Sequence, residues 1–135
     1  MRDSQLIFHD GTNFTATITP NSVTRSGGSA VLDIGKTGVH GIWVEAVLAV
    51  AIVGASGTID VKFQASDSAT FASGVEDLGA IPQLNNTTTV VPYRRAMKVL
   101  TKRRYIRAVL TCGGTVTTET LYVHVQSGPQ RDDVA

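Results

Sequence analysis

The stretch 57–66, which reads GTIDVKFQAS, decides the fold class of this chain. Apolar residues occupy positions 59, 61, 63 and 65, and polar residues occupy the positions between them. Side chains of a β-strand point alternately to opposite faces, so a period of two places one set in a core and the other in water. The stretch therefore predicts a strand of a sheet that has one buried face and one solvated face.

Comparable patterns recur along the chain, separated by turns that contain glycine, proline or asparagine. The predicted strands cover residues 6–9, 30–34, 42–53, 58–66, 87–91, 93–101, 104–112 and 119–126, with 14–18 as an extension of the first and 79–84 as a further short strand. Short strands with turns at this spacing are typical of an all-β sandwich or a closed barrel. Residues 67–79 are predicted to form a loop.

Two segments have more than one interpretation. The run Ile42–Val53 is apolar at both parities and rich in β-branched residues, which predicts a central strand buried on both faces. A helix stays open there, because Glu45–Ala49 has fair helix propensity. Residues 93–101 could begin a helix at Pro92 or form a strand. We favour the strand, in a hairpin with Arg104–Cys112.

Length and composition predict one globular domain over residues 1–135, with a polar arm at 1–5 and a polar tail at 127–135. The 135 residues are 42% hydrophobic and only 17% charged, with a net charge of +1. A chain of this length buries enough apolar surface to fold without a disulfide or a structural metal. Its single cysteine excludes an intrachain disulfide. No signal peptide is visible, and the longest apolar run is too short to cross a bilayer as a helix.

Side chains that could carry catalysis or bind a metal are scattered. The histidines, His9, His40 and His124, have no His-x-His or His-x-x-x-His spacing, so they do not predict converging metal ligands. Cys112 falls on the apolar parity of its strand, which favours a buried, inert thiol. No nucleophile elbow or phosphate-binding loop occurs. The sequence therefore predicts no enzyme, no cofactor and no metal site.

Basic residues are concentrated in one part of the chain. No Asp or Glu lies between Asp77 and Glu119, whereas seven of the twelve Lys and Arg residues do. These seven are Arg94, Arg95, Lys98, Lys102, Arg103, Arg104 and Arg107. With Tyr93 and Tyr105 nearby, such a cluster could bind the phosphates and bases of a nucleic acid. We favour a protein interface, because the isoelectric point is only about 7.9 and protein interfaces are enriched in Arg and Tyr.

Several segments, taken in order along most of the chain, carry a resemblance to a known family. They are Met1-Arg2-Asp3 with Phe8-His9-Asp10-Gly11, Val31-Leu32-Asp33-Ile34-Gly35, the stretch from Ile59 to Asp67, Arg104-Tyr105-Ile106-Arg107 and Gly113-Gly114. In this order they resemble the cement, or decoration, proteins on the capsids of tailed bacteriophages, similar to the Bordetella phage cement protein family. The resemblance implies a jelly-roll-type antiparallel β-sandwich, which here has about eight strands, a symmetric homo-oligomer and no catalysis.

These observations lead to the hypothesis of a virion structural protein, assembled in the host cytoplasm. We expect it to lie on the outer capsid surface and to cement neighbouring major capsid subunits, with neither a membrane nor a nucleic acid as partner. The candidate interface residues are Arg2, Asp3, Tyr93, Arg94, Arg95, Lys102, Arg103 and Arg131. The alternative is a phage tail or spike module that binds host surface glycans, because jelly rolls do that too and fold alone does not decide function.

Overall fold

The computed structural model describes residues 7–20, 30–33, 40–87 and 89–126 of the chain. Within these ranges the chain contains nine β-strands and no helix, so the helix that stayed open for the apolar run 42–53 is excluded. The strands are β1 (Ile7–Asp10), β2 (Leu32–Asp33), β3 (His40–Val53), β4 (Thr58–Ser66), β5 (Glu76–Ala80), β6 (Leu84–Asn85), β7 (Tyr93–Thr101), β8 (Tyr105–Gly113) and β9 (Thr118–Gln126).

The strands form two antiparallel sheets. Sheet A has the order β1-β9-β3-β7, and sheet B has the order β2-β8-β4-β5, with the short β6 paired to β4. The first half of the chain pairs with the second half in a nested way: β1 with β9, β2 with β8 and β3 with β7, around the innermost pair of β4 and β5. A long hairpin rolled up in this way gives the two sheets of a jelly roll, and β6 adds a fifth strand to sheet B. The predicted jelly-roll-type antiparallel β-sandwich is therefore confirmed.

Strand β4 shows the alternation that its sequence predicts. Ile59, Val61, Phe63 and Ala65 are fully buried between the sheets, and the polar residues between them lie half-exposed on the outer face of sheet B. Phe8 of sheet A meets Phe63 edge to face, with the ring centroids 5.8 Å apart. Aromatic rings bury large areas, so this pair fixes the two sheets against each other at the centre of the core.

Strand β3 is buried on both faces only where it has neighbours on both sides. Residues 44–48 are buried, whereas Ala49, Val50 and Val53 are exposed. The pairing with β7 ends at Leu48, so the last part of β3 is accompanied by β9 alone. The prediction of a central strand is confirmed, and burial on both faces holds for the part that both neighbours cover.

The strand predicted over residues 93–101 is confirmed as β7, but its predicted partner is wrong. β7 pairs with β3 in sheet A, in a register that joins Tyr93 to Leu48 and Thr101 to His40. β8 belongs to sheet B, where it lies between β2 and β4. The turn 102–104 therefore carries the chain from one sheet to the other, and the two strands do not form a hairpin.

Two other predicted strands are also wrong. Residues 14–18 form no strand, although Ile18 makes a single bridge to Leu110. In place of a strand from residue 87, Thr87 lies in a turn in which its N–H donates to Asn85 Oδ1 at 2.9 Å. Local hydrogen bonds of this kind compete with strand pairing, and they win here despite the β-branched residues that follow.

Strand β5 runs through residues that the sequence predicts as the end of a loop. It is the edge strand of sheet B, and most of its residues are exposed or half-exposed, so it has no apolar alternation to reveal it. The pairing with β4 is reinforced by Gln64, whose Nε2 donates to Asp77 Oδ1 at 2.8 Å. Edge strands with charged side chains are common because they discourage pairing with other molecules.

Candidate protein interface

The structure describes five of the eight predicted interface residues and places all five on β7 or directly after it. Arg2, Asp3 and Arg131 lie outside the described residues, as do the predicted arm 1–5 and tail 127–135. β7 is the outermost strand of sheet A, so its far edge has no neighbouring strand within the described part of the chain. The five residues therefore come together along one edge of the sandwich, but they differ in what they do there.

Arg94 is tied to a buried carboxylate. Its Nη1 lies 3.2 Å from Glu45 Oε2 and 3.4 Å from Oε1, across the pair of strands β7 and β3. The Glu45 side chain is only 4% exposed, although it points to the outer face of sheet A. A buried charge without a partner is costly, so Arg94 serves the fold by compensating Glu45.

His124 is the second partner of this carboxylate, and sequence reasoning missed its role. The His124 ring lies on β9, with Nε2 at 3.1 Å from Glu45 Oε1, although the two atoms are not aligned for a hydrogen bond. The pairing of β3 with β9 places Glu45 directly opposite His124. The sequence holds no sign of this contact, because the two residues are brought together only by the sheet order.

Arg103 is held in a network beside an open groove of about 560 Å³ at the end of β7. Its Nη1 lies 3.5 Å from Asp67 Oδ2 and its Nε lies 3.8 Å from Glu76 Oε1. Its backbone N–H donates to the buried Thr101 Oγ1 at 3.0 Å, and that hydroxyl donates to Glu76 at 3.1 Å. Two carboxylates thus neutralise this guanidinium within the chain.

The next two arginines of the basic cluster are also occupied. Arg104 donates twice to Asp33, at 3.0 Å for each bond, and this raises the pKa of Arg104. Arg107 donates to Gln64 Oε1 at 2.8 and 3.0 Å, and its guanidinium stacks 4.2 Å from the Phe71 ring centre. Burial lowers the pKa of Arg107. Arg104 ties the turn after β7 to β2 of sheet B while its side chain stays exposed, and the half-buried Arg107 ties the loop residues Pro20 and Phe71 to sheet B.

Three cations of the cluster remain exposed and have no ion pair with any residue that the structure describes. They are Arg95, Lys98 and Lys102, here named the basic rim. Arg95 and Lys98 lie on opposite faces of β7, and Lys102 follows the strand, so the rim spans most of the length of this edge. Lys98 belongs to the basic cluster but was not among the predicted interface residues. The sequence held a signal for its exposure, because Lys98 shares the outward-facing parity of Arg94 and Leu100.

An apolar side chain interrupts the basic rim. Leu100 is 60% exposed and lies between Lys98 and Lys102, at the mouth of the groove. Both Lys98 and Leu100 flank Gly41, where an added methyl group would approach Lys98 Cε to 2.9 Å and Leu100 Cδ2 to 3.1 Å. An exposed leucine beside lysines that form no ion pair with the described residues presents both apolar and charged contacts to a partner.

The aromatic side chains offer little exposed surface. Tyr93, the fifth predicted interface residue described, is half-buried and packs against the core. Trp43, Tyr105 and Tyr122 are likewise half-buried, and the four phenylalanines are buried. Sugar-binding grooves usually stack the ligand on an exposed aromatic ring, and the aromatic residues of this chain do not provide one in the described surface.

The buried carboxyl group of Glu119 was not among the predicted site residues. Glu119 lies on the inner face of β9, where Oε1 accepts the Phe14 N–H at 3.0 Å and Oε2 has no hydrogen bond among the described residues. Burial raises the pKa of Glu119, and burial together with the Glu119 charge raises the pKa of the half-buried Cys112 thiol. No group of three or more His, Cys, Asp or Glu residues converges in the described ranges as a metal site would require.

The described residues include no helix long and apolar enough to cross a membrane. Comparison of the sequence with protein-family models and with curated proteins found no match.

Proposed function

We propose that this chain is a virion structural protein that decorates the outer surface of a bacteriophage capsid and cements neighbouring major capsid subunits. The observation that carries the proposal is the basic rim on the outer strand of a jelly roll. Arg94, Arg103, Arg104 and Arg107 are occupied within the fold, whereas Arg95, Lys98 and Lys102 are exposed and unpaired among the described residues. The sequence resemblance to cement proteins supplies the identity of the partner.

The chemistry of the basic rim supports an acidic protein surface as partner. Complementary charges steer association and fix the register of an interface more than they add affinity. Three cations and one exposed leucine give a modest contact, and a homo-oligomer would present several such contacts at once. A second contact made by one oligomer is intramolecular, so modest sites add up to firm attachment.

The glycan-binding alternative draws less support. Its physical requirement is an exposed aromatic platform, and the tryptophan and tyrosines described here are half-buried in the sandwich. The nucleic-acid interpretation depends on seven clustered cations, and four of them already bind acceptors within the chain. The absence of catalysis and of a cofactor remains a prediction from the sequence.

The test is co-sedimentation of the purified chain with empty bacteriophage capsid shells. We expect the native chain to sediment with the shells and to raise their rupture temperature. The variant Arg95→Ala, Lys98→Ala, Lys102→Ala should bind roughly tenfold or more weakly, because each rim charge contributes up to about 1 kcal/mol.

A matched pair of single variants controls for charge. Lys98→Ala and Lys62→Ala each remove one lysine from a strand, but Lys62 is half-exposed and lies on the outer face of sheet B beside Asp77. Only the first should reduce shell occupancy. A chain that does not sediment with shells at any concentration tested would contradict the proposed function, and equal losses from the two single variants would move the interface away from β7.

A further inference from the structure

The far edge of β7 is an open sheet edge with an unusual composition. All nine residues from Tyr93 to Thr101 pair with β3 on one side, and no strand pairs with them on the other within the described residues. An open edge presents alternate backbone N–H and C=O groups that another extended segment can bind. At about 3.3 Å per residue, the edge of β7 offers roughly 30 Å of backbone for such pairing.

The side chains along this edge indicate which segment would fit. β7 carries Arg94, Arg95 and Lys98 and no acidic residue, and Lys102 follows it directly. The exposed face that holds Lys98 also holds Leu100, two residues further along. On this face an incoming strand therefore meets a cation, Lys98, and then an apolar side chain, Leu100, two residues further along.

A second copy of β7 is a poor occupant of this edge. Antiparallel pairing of two such strands would bring the basic-rim cations of both copies within about 5–10 Å of each other, because neighbouring strands lie about 5 Å apart. Neither strand has an acid to compensate them, and like charges across a strand pair are destabilising. The same argument makes an acidic segment the favoured occupant, since its carboxylates would meet Arg95, Lys98 and Lys102.

We infer that the free edge of β7 receives an extended acidic segment of the capsid partner as a fifth strand of sheet A. The identity of the partner rests on the proposed function, whereas the acidic, extended character of the segment rests on the edge itself. Backbone hydrogen bonds to β7 supply the pairing. On the face that Lys98 and Leu100 share, the segment places a carboxylate opposite Lys98 and an apolar side chain, two residues away, opposite Leu100.

The groove at the end of β7 accommodates the end of this segment. Asp67 and Glu76 share the single guanidinium of Arg103, and Lys102, which has no ion pair among the described residues, balances the remaining negative charge of the lining. Leu100 forms the apolar part of the same lining. A segment that leaves β7 here meets the Leu100 side chain and the Lys102 ammonium group in a groove whose formal charges balance.

The probe is a labelled nine-residue peptide, Glu-Val-Thr-Glu-Val-Thr-Glu-Val-Thr, titrated against the full chain by fluorescence anisotropy. Paired antiparallel with β7, its glutamates lie opposite Arg95, opposite Lys98 and beside Lys102, and its first valine lies opposite Leu100. We expect saturable binding with protection of β7 amides from hydrogen exchange. Arg95→Ala with Lys98→Ala and Lys102→Ala should weaken it by about tenfold or more, and Lys62→Ala should leave it unchanged. The same peptide with Lys in place of Glu should not bind.

Two N-methylated versions of the peptide test the backbone pairing directly. One is methylated at even positions and the other at odd positions, so that one set removes the N–H groups facing β7 and the other removes those facing solvent. One version should lose binding and the other should keep it. Equal binding of both would overturn strand addition, because a purely electrostatic contact does not distinguish them.

The outcomes separate this inference from the proposed function. A chain that sediments with shells while the peptide leaves β7 amides unprotected at about 1 mM overturns the inference and leaves the function standing. The rim cations would then only prevent strands of other molecules from pairing there. A chain that pairs with the peptide and ignores shells supports the acidic strand and overturns the capsid assignment.

Discussion

The side chain that contributes most clearly to the core is Phe63. It is fully buried, and its ring meets Phe8 of the opposite sheet. Phe63→Ala should lower the free energy of unfolding by about 3–5 kcal/mol, because it removes a large apolar group and leaves a cavity between the sheets. Urea denaturation followed by tryptophan fluorescence measures the loss, with Trp43 as the probe.

The neighbouring residue provides the control for register. Lys62 lies on the outer face of sheet B, and its ammonium is 3.8 Å from the exposed Asp77 carboxylate. Surface ion pairs of this kind contribute little, so Lys62→Ala should change the free energy of unfolding by less than about 0.5 kcal/mol. Comparable losses at both positions would mean that the alternation of β4 is assigned to the wrong faces.

Glu119 should make the stability of the fold depend on pH. Because burial raises its pKa in the folded chain, the folded state holds this proton at pH values where the unfolded chain has released it. Stability is therefore full below the ordinary carboxyl pKa of about 4.3 and falls as pH rises through the raised folded value. Glu119→Gln keeps an oxygen for the Phe14 N–H but cannot ionise.

The measurement is the free energy of unfolding of both proteins across this pH range. The native chain should lose stability relative to Glu119→Gln as pH rises, and the difference should level off above the folded pKa. Parallel curves over the whole range would show that the carboxyl is solvated. The sequence contained a signal for this site, because Glu119 shares its parity with the buried Leu121 and Val123.

The pairs of charges were not predictable in the same way. Arg94 and Glu45 are 49 positions apart, and their contact depends on β7 lying beside β3. The basic cluster was visible in the sequence as a gap in acidic residues, but which of its cations remain unpaired was not. Among the described residues, that distinction changes the candidate interface, since it removes Arg94 and Arg103 as free contacts and adds Lys98.

Among the elements, the strands with strict alternation were predicted and their partners were not. A period of two reports that one face of a strand is buried, and β4 and β9 carry it plainly. It contains no information about which strand lies alongside. The turn after Thr101 looked like a hairpin turn for this reason, whereas it carries the chain from sheet A to sheet B.

The connection between β3 and β4 offers a test of the fold at the level of an element. Gly54 has a φ of +142° in this turn, and an added Cβ would overlap the Thr115 carbonyl oxygen of the β8–β9 loop. The two loops are tied together, since the Thr115 N–H donates to Ala55 O at 3.0 Å. Gly54→Ala should therefore destabilise the chain by about 2–4 kcal/mol, from backbone strain and the clash together.

Gly41→Ala, in the preceding strand β3, is the matched control. Its closest neighbours are the flexible ends of Lys98 and Leu100 rather than backbone, so the cost should stay within about 1 kcal/mol. Thermal unfolding monitored by circular dichroism compares the two variants. Similar losses at both glycines would show that the β8–β9 loop can move away, and that the two loops are not packed as described.

At the scale of the whole molecule, the two sheets present different surfaces. Polar side chains on the outer face of sheet B mostly bond to one another: Gln64 links Asp77 to Arg107, and Gln83 donates to Asp60. The edge of sheet A carries the basic rim, whose cations have no ion pair in the described part of the chain. Although the net charge is only +1, the charges are therefore distributed unevenly. This asymmetry would orient the sandwich with its β7 edge toward an acidic partner.

This asymmetry predicts how binding responds to salt. A nucleic-acid site that used all seven clustered cations would lose about 10³-fold or more in affinity between 50 and 200 mM salt. Only three of them are unpaired among the described residues, and contacts to protein carboxylates do not release a condensed counterion layer as DNA does. Shell binding should therefore weaken by no more than about tenfold over this range, mainly through slower association.

The salt titration is run in parallel on empty shells and on a labelled single-stranded oligonucleotide. We expect shells to stay decorated at 200 mM salt, and the oligonucleotide to bind weakly at 50 mM and not detectably at 200 mM. The rim variant Arg95→Ala, Lys98→Ala, Lys102→Ala should flatten the salt dependence of shell association, because the charges that produce it are gone. Tight oligonucleotide binding with a steep salt dependence, alongside shell binding that the rim variant leaves unchanged, would assign the β7 edge to a nucleic acid instead.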